Sequence, residues 1–281
     1  MISDIFRKAG DYGKKSLKYV DYLRSSTSDL KDNKPVILNS IPKSGTHFLY
    51  QIIEALPGLR DKGDFIASIP SLPYSFRPKS DLLKRLNYIT PGELVRAHLF
   101  YSPEFQDQIK ERTYIHFFIY RDPRDLVISE AFYLGRMNKW HGMSRFFKGL
   151  SDEERIMLAI RGLDNKKEYP DIGKRVGWYI DWLKQDDLMK IRFEDLKDPS
   201  RQSAVIDEII SYYKDLKNIE FENQQVKERI MSNIDPGKSH TYRSGKKKGW
   251  KNLFNKAHKD LFKEVAGDLL IKMNYENNND W

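Results

Sequence analysis

An α/β fold with a parallel sheet is the architecture this sequence predicts, and three stretches predict it. Residues 35–56 read as a buried strand, a tight turn and a helix. The apolar run Val36 to Leu38 stops at Asn39-Ser40, and Phe48, Leu49, Ile52, Ile53 and Leu56 keep helical spacing from about Thr46. Residues 113–120 are apolar and aromatic throughout, as a strand buried on both faces should be, and a helix pattern follows them. Residues 188–193 form another strand after a helical stretch. With 281 residues and 40% hydrophobic content, one domain over residues 1–281 fits the chain better than two.

The first turn organises the rest. It reads Ile41-Pro42-Lys43-Ser44-Gly45-Thr46-His47. A strand, a short loop and a helix start aim the helix's unpaired N–H groups at one spot. The helix dipole adds partial positive charge there, so an anion is the expected occupant. Lys43 adds a full charge, Ser44 and Thr46 add hydroxyls, and Gly45 lets the backbone approach closely. The same residues also fit an ordinary strand-to-helix turn capped by Ser or Thr. They do not fit the ATPase loop, in which the lysine follows the second glycine; here Lys43 precedes Gly45.

Composition narrows the classes. The formal charge of +9 is spread along the chain, which suits an anionic ligand, an acidic surface or nucleic acid. The absence of cysteine excludes disulfides, thiolate catalysis and cysteine-bound metals. No apolar run approaches the ~20 residues of a membrane span, and the first residues lack a signal-peptide core, so a soluble cytoplasmic protein without a membrane partner is expected.

Taken in order, residues 1–30 read as an N-terminal helical extension. Ile5, Phe6, Leu17, Val20 and Leu23 alternate with lysines, fitting a helix packed on the domain or a basic helix on a membrane; Gly10 and Gly13 interrupt it. Residues 25–34 read as a polar linker. Residues 57–90, with prolines at 57, 70, 73 and 78, read as an irregular segment and a candidate wall of an acceptor pocket. Residues 93–99 form a short strand ending at His98. Arg121 ends the next strand, Asp122 and Pro123 suit a helix start, and Ser129 lies on that helix. A guanidinium and a hydroxyl there can converge on one anion, or Arg121 can pair with Asp122 or Asp125 at the surface. Residues 175–184 read as an amphipathic helix with Trp178 and Trp182 in the core. Residues 202–213 and 223–232 are further helices, residues 243–252 a basic Gly-spaced loop, residues 256–273 a closing helix and residues 275–281 a loose tail.

Pro42-Lys43-Ser44-Gly45-Thr46 resembles the 5′-phosphosulfate loop of the cytosolic-type sulfotransferases, and four further segments resemble the same family in the same order. Arg96-Ala97-His98-Leu99 falls where the family has Lys-Thr-His-Leu with its catalytic base. Arg121 and Ser129 resemble the 3′-phosphate motif. Phe193-Glu194-Asp195-Leu196 stands where a tyrosine before Glu-Asp helps hold adenine. The stretch from Arg243, Ser244 and Gly245 to Trp250-Lys251-Asn252 resembles the Arg-Lys-Gly loop, with Ser244 in place of lysine and Lys246 to Lys248 as substitute charge. Phe48 replaces the tryptophan that stacks on the base, and His47 replaces a hydroxyl residue in the phosphate loop.

The resemblance implies a three-layer sandwich with a central parallel sheet and a P-loop-like phosphosulfate site. It implies 3′-phosphoadenosine 5′-phosphosulfate (PAPS) as donor, no metal, and in-line transfer of the sulfuryl group. His98 would act as base, and Lys43 would stabilise charge on the leaving oxygen. The acceptor would be a hydroxyl or amine of a small molecule or a carbohydrate. The carbohydrate enzymes of the superfamily use a glutamate base, and Glu93 is the nearest candidate. Two rivals remain: a nucleotide kinase, which predicts a lysine after the loop glycine, and a non-enzymatic nucleic-acid binder using the basic loop. The family's short dimer motif corresponds to Lys251, Asn255-Lys256 and Asp260. The charge of Lys256 at its apolar position predicts a monomer or a dimer through another surface.

Overall fold

A computed structural model describes residues 18, 21–23, 25–235 and 249–281. Five strands form one parallel sheet in the order β2-β3-β1-β4-β5: β1 Val36–Ser40, β2 Arg60–Ala67, β3 Glu93–His98, β4 Ile115–Tyr120 and β5 Met189–Arg192. The helices are α1 Thr27–Asp32, α2 Thr46–Ile53, α3 Lys79–Asn87, α4 Pro103–Glu111, α5 Pro123–Phe132, α6 Ser144–Phe147, α7 Asp152–Arg161, α8 Ile172–Ile180, α9 Phe193–Lys197, α10 Pro199–Lys217, α11 Asn223–Asn233, α12 Trp250–Leu253 and α13 Lys256–Lys272.

The sheet is buried on both faces. Successive strand residues point to opposite sides, and the core divides accordingly. Ile37, Val95 and Phe118 join Phe132, Trp182 and Phe262 on one side. Val36, Leu38, Ile115, Phe117 and Ile119 join Leu49, Ile52, Ile206 and Tyr213 on the other. This is the expected three-layer arrangement. The chain leaves β1 toward the β2 edge and leaves β4 toward the β5 edge. The carboxyl ends of β1 and β4 therefore flank a switch point, where open α/β sheets take their ligands.

Several elements differ from the sequence expectation. Residues 25–34 are not a plain linker: Ser26 and Asp29 cap each other's backbone in a capping box, and α1 forms behind them. The segment expected to be irregular contains β2 and α3, leaving residues 68–78 without helix or strand. Strand β2 escaped notice because it is an edge strand, half-exposed and charged at Arg60, Asp61, Lys62 and Asp64, with its register broken between Asp61 and Phe65. The helix expected over residues 175–184 starts earlier, at Ile172 behind its Asp171 cap, and tightens to a 3₁₀ turn over Asp181–Lys184. The tail expected to be loose is packed. The Trp281 ring lies 5.4 Å from Trp250 and 5.7 Å from Phe262, and Glu276 accepts from Arg124 at 2.5 Å. Two indole rings cover the Arg124 guanidinium, which also pairs with Asp122 at 2.7 Å, so the buried charge is compensated by two carboxylates and two ring faces.

Residues 1–17 lie outside the described residues, as does the basic segment 236–248 with Arg243, Ser244 and Gly245. Among the described residues no helix is long and apolar enough to cross a membrane.

Candidate active site

The loop after β1 has the backbone of an anion cradle. Lys43 (φ 71°) and Gly45 (φ 99°) are both left-handed, and Gly45 is the N-cap of α2 without a side-chain cap. At Gly45 only glycine fits on two counts: the positive φ, and the Phe193 ring, whose Cδ2 would stand 2.3 Å from a Cβ. Ser44 does not present its hydroxyl to a ligand as expected. It is fully buried, and its Oγ lies 2.5 Å from the Ile41 carbonyl and 3.0 Å from that of Ile119, tying the loop to β4. Thr46 Oγ1 is 2.8 Å from Ser40 Oγ, while His47 is exposed and Phe48 half-buried on the first turn of α2.

His98 ends β3 beside this loop. Its Nδ1 lies 3.0 Å from the Ser40 carbonyl and 2.9 Å from Ser40 Oγ. A carbonyl only accepts, so Nδ1 carries the proton and Nε2 carries the lone pair. Burial, with His47 and Lys43 adding to it, lowers the His98 pKa to about 4 against the opposing Ser40 hydrogen bond, so the ring is neutral at ordinary pH. Asn39 holds the geometry: it accepts from Leu99 N at 2.9 Å and donates to the Leu99 carbonyl at 3.2 Å, pinning the exit of β3 to β1. Trp182 Nε1 donates to the same carbonyl. Neither Asn39 nor Ser40 stood out in the sequence, where they marked only the end of an apolar run.

Arg121 extends from the end of β4. Its guanidinium carbon lies 4.7 Å from the Phe193 ring centroid, with Nη1 3.4 Å from the Lys43 carbonyl and Nη2 3.6 Å from Asp125. Both contacts are long, and its buried Nε has no partner, so this cation is not saturated by the protein. Asp125 and Ser129 are one turn apart on α5, which begins at Pro123 behind the Asp122 cap. The Trp250 N–H donates to Asp125 at 2.9 Å, so the described chain resumes after the basic segment beside Arg121. Phe193 therefore packs between Gly45 and Arg121, and its observed task is to shape the loop.

Lys43 is half-buried, with Nζ 3.5 Å from the centroid of the Tyr133 ring. Desolvation lowers its pKa to about 7; Glu130 opposes this and Arg121 adds to it. Glu130 is itself 2.8 Å from Arg175. Aromatic rings continue outward: Phe65 meets His98 edge-on at 4.9 Å, Phe76 meets Trp178 at 5.5 Å, and Tyr74 meets His141 at 5.0 Å. Phe65 and Phe76 are more than a third exposed.

Glu93 lies at the far end of β3 from this loop. It starts the strand that His98 ends, about 16 Å away at strand rise. It is fully buried, with Lys18 at 2.6 Å and the Thr90 N–H and hydroxyl on its other oxygen. Among the described residues no group of three or more His, Asp or Glu could hold a metal ion.

An all-parallel sheet with a cationic strand–loop–helix turn at its carboxyl edge defines an α/β protein of the P-loop-like class. A family model described as sulfotransferase domain matches residues 33–274, and the chain belongs to that family. Among solved structures it is similar to mouse sulfotransferase SULT7A1 complexed with PAP, with TM-score 0.57 and 18% identity over 88% of this chain and 86% of that one. It is also similar to retinol dehydratase in complex with androsterone and inactive cofactor PAP, with TM-score 0.54 and 15% identity over 89% of this chain and 85% of that one. No curated protein sequence matches the chain.

Proposed function

We propose that the chain moves the sulfuryl group of PAPS to a hydroxyl or amine of a small-molecule acceptor, with His98 as base. The observation that carries this reading is the junction of His98 with the cationic loop: Ser40 contacts the imidazole with its hydroxyl and its carbonyl, and the same hydroxyl lies 2.8 Å from Thr46 Oγ1. The two similar structures named above were solved with PAP, and one also with androsterone.

The residues fit an anionic nucleotide donor. Lys43, the first-turn N–H groups of Thr46 and His47, and the glycine cradle suit the 5′ end. Unsaturated Arg121, with Ser129 one helical turn beyond its neighbour Asp125, suits a second phosphate, to which Arg243, Ser244 and Gly245 are assigned from the motif alone. Phe48 offers a ring to the base, and Phe193, packed between Gly45 and Arg121, is assigned to it from the motif alone. The donor supplies an electrophilic sulfur and a phosphate leaving group. His98 Nε2 takes the acceptor proton as the acceptor atom bonds to sulfur, and the Lys43 ammonium offsets charge on the oxygen whose bond to sulfur breaks. Positioning and electrostatics do most of the work in such transfers. The exposed rings of Phe65 and Phe76 favour an acceptor with an apolar body, and the remoteness of Glu93 from the loop favours His98 over it as base.

The test is transfer from labelled donor to a panel of phenols, alcohols, amines and sugars. His98→Ala should lower kcat by ~10²–10⁴ while PAP binding survives. The acid limb of activity should fall near pH 4 rather than 6.5, since an imidazolium cannot accept the proton. Near-normal turnover of His98→Ala on an accepted substrate rejects the base assignment. No transfer to any acceptor and no PAP binding reject the function.

A further inference from the structure

The helix α5 does not end in an ordinary cap. It runs into a π-helical turn over Tyr133–Met137, where the Asn138 N–H reaches back to the Tyr133 carbonyl at 3.0 Å. Such turns insert a residue, rotate the side chains around them and recur at functional sites. Here the turn presents the face of Tyr133 to Lys43, and the Asn138 amide fixes the phenol from behind, donating to its oxygen at 2.7 Å. The lysine in turn projects from a left-handed backbone position, so both partners are aimed by unusual local geometry.

We propose that Tyr133 is a positioning residue for Lys43, its ring face holding the ammonium in charged form at the mouth of the loop until an anion takes it over. This rests on the function proposed above. The groups facing Lys43 come from four elements: Glu130 and Tyr133 from α5 and its π turn, Arg121 from the end of β4, His98 from β3, and His141 from the loop beyond the π turn. Only Glu130 among them carries negative charge, and it is shared with Arg175. Arg121 repels the ammonium, and burial disfavours it. The quadrupole of the Tyr133 ring is the remaining feature that favours the protonated state, and it does so without adding a carboxylate that would repel an anionic donor.

The experiment compares wild type with Tyr133→Phe, Tyr133→Leu and Tyr133→Met in the full chain. The first readout is the pH dependence of Lys43 acylation by an amine-selective reagent, followed by peptide mass spectrometry without any ligand. Tyr133→Leu should move the labelling midpoint down by about half to one pH unit, whereas Tyr133→Phe, which keeps the ring, should stay close to wild type. Tyr133→Met serves as the ring-free variant if Tyr133→Leu does not fold. The second readout is the alkaline limb of sulfuryl transfer, which should move with the labelling midpoint. A ring-free variant with an unmoved midpoint overturns the inference. So does a Phe variant shifted as far as Leu, because the hydroxyl and Asn138 would then be the operative contact. Labelling needs no donor, so failure of wild type to bind PAP would reject the function while leaving this result to be read on its own.

Discussion

Phe193 closes over Gly45 so tightly that a Cβ at position 45 would stand 2.3 Å from its Cδ2 and 2.6 Å from its Cε2. The ring cannot swing away freely, because the Arg121 guanidinium covers it. Gly45→Ala therefore suffers both a left-handed backbone and a steric clash. It should lose about 1–3 kcal/mol of stability, read as a drop of several degrees in Tm. PAP affinity should fall with it by calorimetry. The double variant Gly45→Ala/Phe193→Ala should recover part of the loss, the φ strain remaining. A fully wild-type Tm for Gly45→Ala would refute this account of the loop.

The two-phosphate arrangement predicts discrimination between nucleotides. PAP at a hundredfold excess over its Kd should stabilise the fold by about 2.7 kcal/mol, measurable as a thermal shift. Adenosine 5′-phosphate should do markedly less. Arg121→Ala should cost about 1.5–3 kcal/mol in PAP binding, the worth of a charge-assisted contact, and little in adenosine 5′-phosphate binding. Equal calorimetric affinity for the two nucleotides would remove the second phosphate site.

Three histidines make stability fall in acid. Burial lowers His116 to about 3, and lowers His98 and His141 to about 4 with help from nearby Lys43. In the unfolded chain each titrates near 6.5, so below that pH the unfolded state binds more protons than the folded one. Stability is therefore complete above about pH 6.5 and declines as pH falls toward 4. Each histidine contributes up to ~1.4 kcal/mol per pH unit, and the half-buried His98 and His141 contribute less than His116. Urea melts between pH 7 and 4.5 test this, and His116→Gln should flatten the slope. A flat profile would contradict the burial argument.

Light scattering should report a monomer, or a dimer insensitive to residues 251–260. Lys256 is exposed and paired with Asp260 at 2.7 Å on the first turn of α13, where the family's short contact is apolar. A dimer abolished by Lys251→Ala would reverse this expectation.

The sheet was legible because β1 and β4 write burial directly into apolar runs, and the Asp122-Pro123 start of α5 is a local signal. Edge strand β2 was not, since an exposed charged strand carries no periodic apolar pattern. The packed C-terminal segment was missed for a related reason: Trp281 docks against Trp250 and Phe262, partners 31 and 19 residues away in sequence. In the candidate site, the grouping of Lys43, Gly45, His98 and Arg121 was legible through motif order. The inward turn of Ser44, the clamp of Asn39 and the station of Lys43 over Tyr133 were not. Each depends on which way a side chain points, and spacing along the chain does not encode that.

Strand β3, six residues long, begins at a buried carboxylate and ends at an imidazole beside the cationic loop. Variation along it should sort by assay. Substitutions at Glu93 leave buried Lys18 with Asp64 as its remaining carboxylate and should show up as lost soluble yield, whatever the remaining specific activity. Under the proposed function, substitutions at His98 should leave yield intact and lower turnover. A deep mutational library scored separately for abundance and for catalysis should show the two penalties crossing over along one short strand, and the crossover position would mark where architecture hands over to chemistry.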